Sequence, residues 1–203
     1  MNDLILFREC PELPNIPEEM VSYAIQNKSN NPLIFREMMG FTRNDNKKKS
    51  AKISSWKCQP DSTLFKWTEE NIKPWIETNL MQNFKLGVIY REVSYKEEAN
   101  FYRPHFDGVR HFGLFYNIVD SGGDICFYKH KDYHVSERND EQDSNVILNY
   151  NDITEIGRFK TPPVNRWYLL NSKVYHSIEN LTGKRHNFQI SITKLPGATN
   201  EQA

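Results

Sequence analysis

The sequence has few cysteines and no long hydrophobic run. Its 203 residues include three cysteines, whose odd number and wide spacing argue against a disulfide framework and against a structural zinc cluster. No apolar segment approaches the roughly 20 residues needed to cross a bilayer, and the short run Leu4–Phe7 lacks the basic flank of a secretion signal. These absences predict a cytoplasmic protein with reduced thiols and no membrane partner.

An excess of charge of one sign is also missing. The chain has 26 basic and 26 acidic residues, so no global electrostatic field attracts nucleic acid, which is therefore not an expected partner. The length fits a single domain over residues 1–203, with a helical or mixed supporting region (1–85), a β-rich core (86–194) and a tail (195–203). The sequence indicates no oligomeric state.

Helical patterns are confined to the first part of the chain. Pro17 is typical of a helix start and predicts a helix over Glu18–Gln26. Apolar residues at helical spacing predict a second helix over Thr68–Gln82, capped by Thr68 and with Pro74 near its first turns or bending it. The aromatic residues of this segment are interpreted as core packing.

From Lys85 onward, short apolar runs alternate with turn residues. Many short strands separated by turns predict a mainly β member of the α+β class, built as a sandwich or barrel with helices from the N-terminal part. The predicted strands are 86–90, 111–119, 124–128, 145–148, 166–170 and 188–192.

The last predicted strand has one polar and one apolar face. Because successive side chains of a strand point to opposite faces, its polar set should line a pocket while its apolar set packs in the core. Arg185 has the parity of the polar set, so if the strand begins there its guanidinium points into that pocket, placed to pair with a carboxylate. The polar set is Asn187, Gln189 and Ser191, and the apolar set is Phe188, Ile190 and Ile192.

Two histidines and one carboxylate on one face can hold a mononuclear iron and leave the opposite positions open for other ligands. His105 and Asp107 stand two residues apart, so both side chains share a face if they belong to a strand, and Phe106 turns away. A His-x-Asp pair alone is weak, because the chain contains a second one at His130. That second pair lies in a polar, loop-like stretch, whereas the first lies between two apolar runs.

His176 is the downstream histidine that precedes a suitable strand. It follows an apolar strand and a turn, and Arg185 comes nine residues later. A lone histidine before a strand is usually structural and a lone arginine is usually on the surface. The order of the whole set is what favours a metal site.

These residues, taken in order, resemble the iron(II) and 2-oxoglutarate-dependent dioxygenases, particularly their prolyl-hydroxylase-like branch. The resemblance extends from about Leu86 to Lys194. It includes Tyr-x-x-His-x-Asp, an apolar strand, a Gly-Gly-acidic turn, and a distal His with Arg nine or ten residues later. In this sequence these are Tyr102 to Asp107, the strand 113–119, Gly122-Gly123-Asp124, His176 and Arg185.

The resemblance implies a double-stranded β-helix with Fe(II) bound by His105, Asp107 and His176, and with Arg185 binding the distal carboxylate of 2-oxoglutarate. It implies a hydroxylase that consumes O2 and releases succinate and CO2, with ascorbate as an optional reductant. A protein or peptide side chain is the first expectation for the substrate, followed by a small molecule.

The resemblance also implies further contacts to 2-oxoglutarate. Tyr95 stands ten residues before the first ligand, a position that assists the co-substrate in some members, and Tyr102 is placed in the pocket or behind a ligand. Tyr116 and Asn117 both fall where another contact often lies, and the sequence does not decide between them. Asn180 replaces the proline usually found after the distal histidine.

Two other readings stay open. A cupin-type metalloenzyme that does not use 2-oxoglutarate would keep the metal ligands but would not need Arg185. A non-catalytic β-sandwich binding module would make the three ligand candidates a coincidence, since a fold does not fix a function.

Overall fold

The computed structural model describes residues 5–27, 35–38, 52–94, 102–107, 109–119, 122–131 and 150–196. The strand predicted at 145–148 and Tyr95 lie outside these ranges. The described helices are α1 (Glu18–Asn27), α2 (Thr63–Asn71) and α3 (Lys73–Asn79), with a 3-10 turn at Tyr150–Asp152. The described strands are β1 (Phe7–Glu9), β2 (Phe35–Met38), β3 (Lys52–Cys58), β4 (Phe84–Ser94), β5 (Tyr102–His105), β6 (Phe112–Val119), β7 (Asp124–His130), β8 (Ile153–Lys160), β9 (Trp167–Asn171), β10 (Tyr175–Glu179) and β11 (Arg185–Lys194).

The prediction of the first helix is confirmed, but the prediction of one helix over Thr68–Gln82 is wrong. Two helices meet at Ile72, because Pro74 occupies the first turn of α3 and has no N–H to continue the hydrogen bonds of α2. The cap of α2 is Ser62, whose Oγ accepts the N–H of Phe65 at 3.2 Å. Thr68 lies inside α2, where its hydroxyl donates to the carbonyl of Leu64.

The described strands form two antiparallel sheets. The large sheet has the order β1-β9-β6-β11-β4-β3-β2, and the small sheet has the order β5-β10-β7-β8. The N-terminal region supplies β1 at one edge of the large sheet and β2 and β3 at the other. That region, expected to be helical or mixed, therefore also extends the sheet.

The large sheet is buried on both faces. Its outer face packs against α2 and α3, so that Tyr90 and Phe188 join Ile72 and Ile76 in one apolar cluster. Its inner face meets the small sheet through a second cluster: Phe115, Ile125, Phe127, Tyr168, Leu170 and Val174. The space between the sheets holds the polar side chains described below.

A buried acidic anchor closes one end of the small sheet. The carboxylate of Asp124 accepts hydrogen bonds from Arg158 Nη1 at 3.0 Å and Asn180 Nδ2 at 2.8 Å, and it lies 2.6 Å from Lys160 Nζ. These contacts lower the pKa of Asp124, with the Lys160 bond as the largest cause. Asn180 adopts a φ of 55°, a left-handed conformation that asparagine tolerates and proline cannot adopt.

No helix among the described residues combines the length and the apolar character that a membrane crossing requires.

Candidate metal centre

Two of the candidate ligands lie side by side on neighbouring strands of the small sheet. His105 ends β5 and is the register partner of His176 on β10. Their imidazole centroids lie 4.5 Å apart, and the ring of Phe127 on the next strand lies 6.3 Å from that of His176. The sheet therefore brings together two histidines separated by 71 positions in the sequence.

Asp107 lies next to this pair but beyond the end of β5. Its backbone N–H donates to the carbonyl of Ser172 at 2.9 Å, and its Oδ2 lies 3.8 Å from Nε2 of His176. Phe106 points away, as the alternation predicted, and packs edge-on against Tyr175 with ring centroids 5.2 Å apart. The three side chains thus meet at one place.

The protonation of His176 follows from its surroundings. Its Nδ1 lies 2.8 Å from the carbonyl oxygen of Val174 and must donate, because a carbonyl can only accept. Burial and then the nearby charge of His105 lower the pKa of His176 to about 3, so the ring is neutral at pH 7. The lone pair of Nε2 is consequently on the side of Asp107, as a metal ligand requires.

Arg110 is a site residue that the sequence reasoning missed. Its Nη2 donates to Oδ2 of Asp107 and its Nε donates to Oγ of Ser172 at 2.9 Å. Burial, the largest single effect, would raise the pKa of Asp107, but the surrounding positive groups, Arg110 first among them, together outweigh it and hold this pKa well below its ordinary value. Asp107 is therefore ionised at neutral pH.

The donor set suits a divalent transition metal, although it is not arranged as a finished site. Among the described residues, no three His, Cys, Asp or Glu side chains stand in metal-binding geometry. The 3.8 Å between His176 Nε2 and Asp107 Oδ2 is nevertheless short enough to be spanned by two bonds of about 2.1 Å. Neutral imidazole and ionised carboxylate are the forms that bind such metals, so these residues are suited to hold a divalent transition metal.

Arg185 is a buried cation on the inner face of the large sheet. Only 1% of its surface is exposed, and its guanidinium carbon lies 5.8 Å from the ring centroid of Tyr168. Nη2 donates to the hydroxyl of Tyr168, whereas Nε and Nη1 have no hydrogen-bond partner among the described residues. A buried guanidinium is costly without an anion, so this one is suited to a carboxylate ligand.

Tyr168 lies between this arginine and the ring of Phe115, a position that the sequence did not reveal. Its ring stacks on Phe115 with centroids 5.2 Å apart and planes 11° from parallel. The guanidinium carbon of Arg110 lies 5.8 Å from the other ring of this stack. The aromatic pair thus separates Arg110, beside Asp107, from Arg185.

The polar face of β11 is buried, in agreement with the alternation of its sequence. Asn187 and Gln189 are at most 3% exposed, and the side-chain amide oxygen of each accepts no hydrogen bond within the described part of the chain. Asn117, opposite Asn187 on β6, donates to the carbonyl of Pro162 but leaves its own buried oxygen without a described donor. Unpaired oxygens of this kind are normally satisfied by water or a ligand.

Of Tyr116 and Asn117, the two candidates for a further contact to 2-oxoglutarate, only Asn117 faces the space between the sheets. Tyr116 packs with Trp167 in the outer cluster beside the helices, so it faces away from the space between the sheets. Asn117 has the opposite parity and lies on the inner face. Tyr95 and the side chain of Tyr102 lie outside the described residues.

Comparison with solved structures identifies the fold. The chain is similar to an oxidoreductase of the 2OG-Fe(II) oxygenase family from Burkholderia pseudomallei, with 8% identity, a TM-score of 0.55, and 98% of this chain and 90% of that one covered. It is also similar to a prolyl hydroxylase from Trichoplax adhaerens, solved with a hypoxia inducible factor peptide fragment: 13% identity, TM-score 0.52, coverage 95% and 85%. A third similar structure is the epimerase SnoN with Fe3+, alpha ketoglutarate and nogalamycin RO: 11% identity, TM-score 0.56, coverage 96% and 80%.

At these identities the likeness is one of fold. The expected mainly β, double-stranded β-helix architecture is confirmed, and it is the architecture of 2-oxoglutarate oxygenases, prolyl hydroxylases among them. No family model matches the sequence, and the search of curated proteins finds no match.

The buried histidine predicts a pH dependence of stability in the metal-free protein. Unfolded histidine binds a proton below a pH of about 6.5, whereas the pKa of native His176 is about 3. Between these values the unfolded state binds more protons than the native state. His176 therefore makes the free energy of unfolding decrease as the pH is lowered, by at most about 1.4 kcal/mol per pH unit. The lowered pKa of Asp107 adds a further loss below a pH of about 4.

Urea unfolding in the presence of a chelator, at a series of pH values from 7 to about 4.5, measures this dependence. We expect His176→Gln to flatten the profile in that range relative to the unsubstituted protein. Equal slopes for the two proteins would contradict the assignment of a neutral, buried His176.

Proposed function

We propose that the chain is an iron(II)- and 2-oxoglutarate-dependent dioxygenase that hydroxylates a protein or peptide side chain and releases succinate and CO2. The observation that carries this proposal is the buried guanidinium of Arg185, which lacks a described anionic partner and belongs to the large sheet, whereas the paired histidines belong to the facing small sheet. A metal site alone would not need this cation. Its presence favours a co-substrate with a distal carboxylate over the cupin-type alternative.

In this proposal each residue has a separate task. His105, Asp107 and His176 bind the iron, which when bound supplies the redox chemistry that activates O2. Arg185 neutralises and orients the distal carboxylate of 2-oxoglutarate, and the phenol of Tyr168 holds the guanidinium in place. Tyr95, Tyr102 and Asn117 remain candidates for further contacts, whereas the position of Tyr116 disfavours it.

The inter-sheet cluster supplies the water-excluding part of the pocket. The ring of Phe127 lies 6.3 Å from that of His176, and Phe115 and Tyr168 of the same cluster lie on the opposite sheet. Electrostatic contacts to a bound carboxylate are stronger in such an apolar space than in water. The side chains thus provide both a charge partner and a low-dielectric setting.

That the substrate is a peptide is a more specific proposal than the dependence on iron and 2-oxoglutarate. It is supported by the similar prolyl hydroxylase that was solved with a peptide. The similar epimerase was solved with nogalamycin RO, so a small-molecule substrate is the competing outcome of a substrate screen. Ascorbate would act as an accessory reductant.

The test is the release of succinate from 2-oxoglutarate by purified protein with iron(II), ascorbate and O2. We expect slow, iron-dependent release without a substrate and faster release when a hydroxylatable peptide is supplied. Peptide and small-molecule panels compared by mass spectrometry would distinguish the two substrate classes through a gain of one oxygen atom. If the protein binds iron but neither binds nor consumes 2-oxoglutarate, the proposal is wrong and the cupin-type function is favoured.

A further inference from the structure

One turn contacts both segments that carry the candidate ligands. It joins β9 to β10 over residues 172–174. The carbonyl of Ser172 accepts the N–H of Asp107 and the N–H of Ser172 donates to the carbonyl of His111, both at 2.9 Å. Two residues on, the carbonyl of Val174 accepts the Nδ1–H of His176. The backbone of this turn thus sets where Asp107 lies and how the ring of His176 is rotated.

Asp107 needs such support more than the two histidines do. His105 and His176 are held by strand pairing, but Asp107 follows the last residue of β5 by two positions. Strand geometry therefore does not fix its carboxylate, which keeps two rotatable bonds. A precise metal site requires that these bonds be restrained by neighbouring groups.

Arg110 provides the restraint on the side chain. Its guanidinium is itself held in place, since Nε donates to Oγ of Ser172 at 2.9 Å and the group lies over the ring of Phe115. From this position Nη2 donates to Oδ2 of Asp107, the oxygen that faces His176. Arg110 is 8% exposed and Ser172 is fully buried, so the pair belongs to the interior and not to a solvated surface.

The position of the charge makes a purely electrostatic role unfavourable. A guanidinium beside a cation site repels the cation, so an arginine here is useful only if it orders the carboxylate by more than it opposes the metal. Its planar fork bonds Ser172 through Nε and Asp107 through Nη2, whereas lysine has only one nitrogen and no fixed plane. A change from arginine to lysine therefore keeps the charge beside Asp107 and removes only the two-point orientation of its carboxylate.

We propose that Arg110 and Ser172 form a positioning pair that fixes the carboxylate of Asp107 for metal binding. The inference rests on the proposed metal site, but it concerns metal binding alone and requires neither 2-oxoglutarate nor turnover. Arg110 acts through Asp107 and does not itself bind the metal. Ser172 acts one step further away, by holding Arg110.

The test is an anaerobic titration with Co(II), followed by calorimetry and by the visible absorption bands of the bound metal. We expect Arg110→Lys, which keeps the charge but loses the fork, to weaken Co(II) binding by about 10- to 100-fold and to alter the bands. Ser172→Ala should weaken binding by a smaller factor, roughly three- to tenfold, with the same change in the bands. Arg158→Lys, a matched change on the outer face of the small sheet, should leave both readouts unchanged.

Circular dichroism and thermal melting establish that each variant is folded, and Ser172→Ala tests the inference should Arg110→Lys fail to fold. A merely structural role would lower the melting temperature without changing the affinity or the bands of the folded protein. Unchanged Co(II) binding in a folded Arg110→Lys or Ser172→Ala variant overturns the positioning role but leaves the proposed enzyme intact. Failure of the unsubstituted protein to bind Co(II) overturns both.

Discussion

Arg185→Gln is expected to weaken 2-oxoglutarate binding by roughly 30-fold or more while metal affinity stays the same. Removing one partner of a buried, hydrogen-bonded charge pair costs about 2 to 5 kcal/mol, which corresponds to this range of affinity. The guanidinium offers two nitrogen donors without a partner among the described residues and a full charge, whereas glutamine offers one neutral amide. Arg185→Lys should fall between the two, because lysine keeps the charge but not the fork.

The measurement is a calorimetric titration of the Co(II)-loaded protein with 2-oxoglutarate in the absence of O2. Arg158→Gln is the matched control, since Arg158 pairs with Asp124 and Glu155 on the other side of the small sheet. Tight 2-oxoglutarate binding by Arg185→Gln would remove the main support for the co-substrate. A loss of Co(II) binding in the same variant would instead show that the substitution disturbs the whole site.

Stability gives an independent readout at the same position. In the ligand-free protein Arg185 is a buried cation without a described counter-ion, so it contributes desolvation cost and little stabilisation. We therefore expect Arg185→Met to leave the free energy of unfolding unchanged or raise it by about 1 kcal/mol. Such a result would mark Arg185 as a residue kept for binding and not for folding.

His176→Ala is expected to abolish iron binding and iron-dependent succinate release. Metal sites with four protein ligands gain about 10 to 16 kcal/mol, so one ligand is worth roughly 2.5 to 4 kcal/mol, or a change in affinity of roughly 70- to 900-fold. Because the ring also packs near Phe127, some loss of stability should accompany the change.

The control for this variant is His186→Ala, which removes a histidine of the same chain that bonds to the hydroxyl of Tyr90, away from the candidate ligands. It should retain iron binding and succinate release. Iron-dependent turnover that survives in His176→Ala would exclude His176 as a ligand.

Much of the site could be anticipated because it depends on local alternation. His105 and Asp107 stand at i and i+2, and Phe106 between them turns away as expected. The final strand alternates polar and apolar residues, and its polar side is the buried inner face that carries Arg185. In both cases the pattern lies within a few consecutive residues of one strand or just past its end.

The missed residues had no such pattern. Every residue of β9 is buried, so its continuous apolar run did not reveal which side of the sheet Tyr168 faces. The same difficulty left Tyr116 and Asn117 undecided on β6. Arg110 and Ser172 lie in turns 62 positions apart, and only the folded chain brings them together.

The prediction for the helical region was wrong for a different reason. The apolar spacing over Thr68–Gln82 continues across Ile72, so periodicity alone predicts one helix. The backbone cannot continue, because Pro74 has no N–H to donate. The expectation that Pro74 lies near the first turns of one helix or bends it does not include a second helix, whereas Pro74 lies in the first turn of a separate α3.

The most direct test of the metal centre is a crystal structure of the protein grown anaerobically with iron(II) and 2-oxoglutarate, with anomalous data collected at the iron edge. The account predicts one anomalous peak about 2.0 to 2.2 Å from nitrogen atoms of His105 and His176 and from an oxygen of Asp107. It also predicts a carboxylate of 2-oxoglutarate paired with Arg185. An iron peak elsewhere, or Arg185 facing solvent with no carboxylate beside it, would contradict the account.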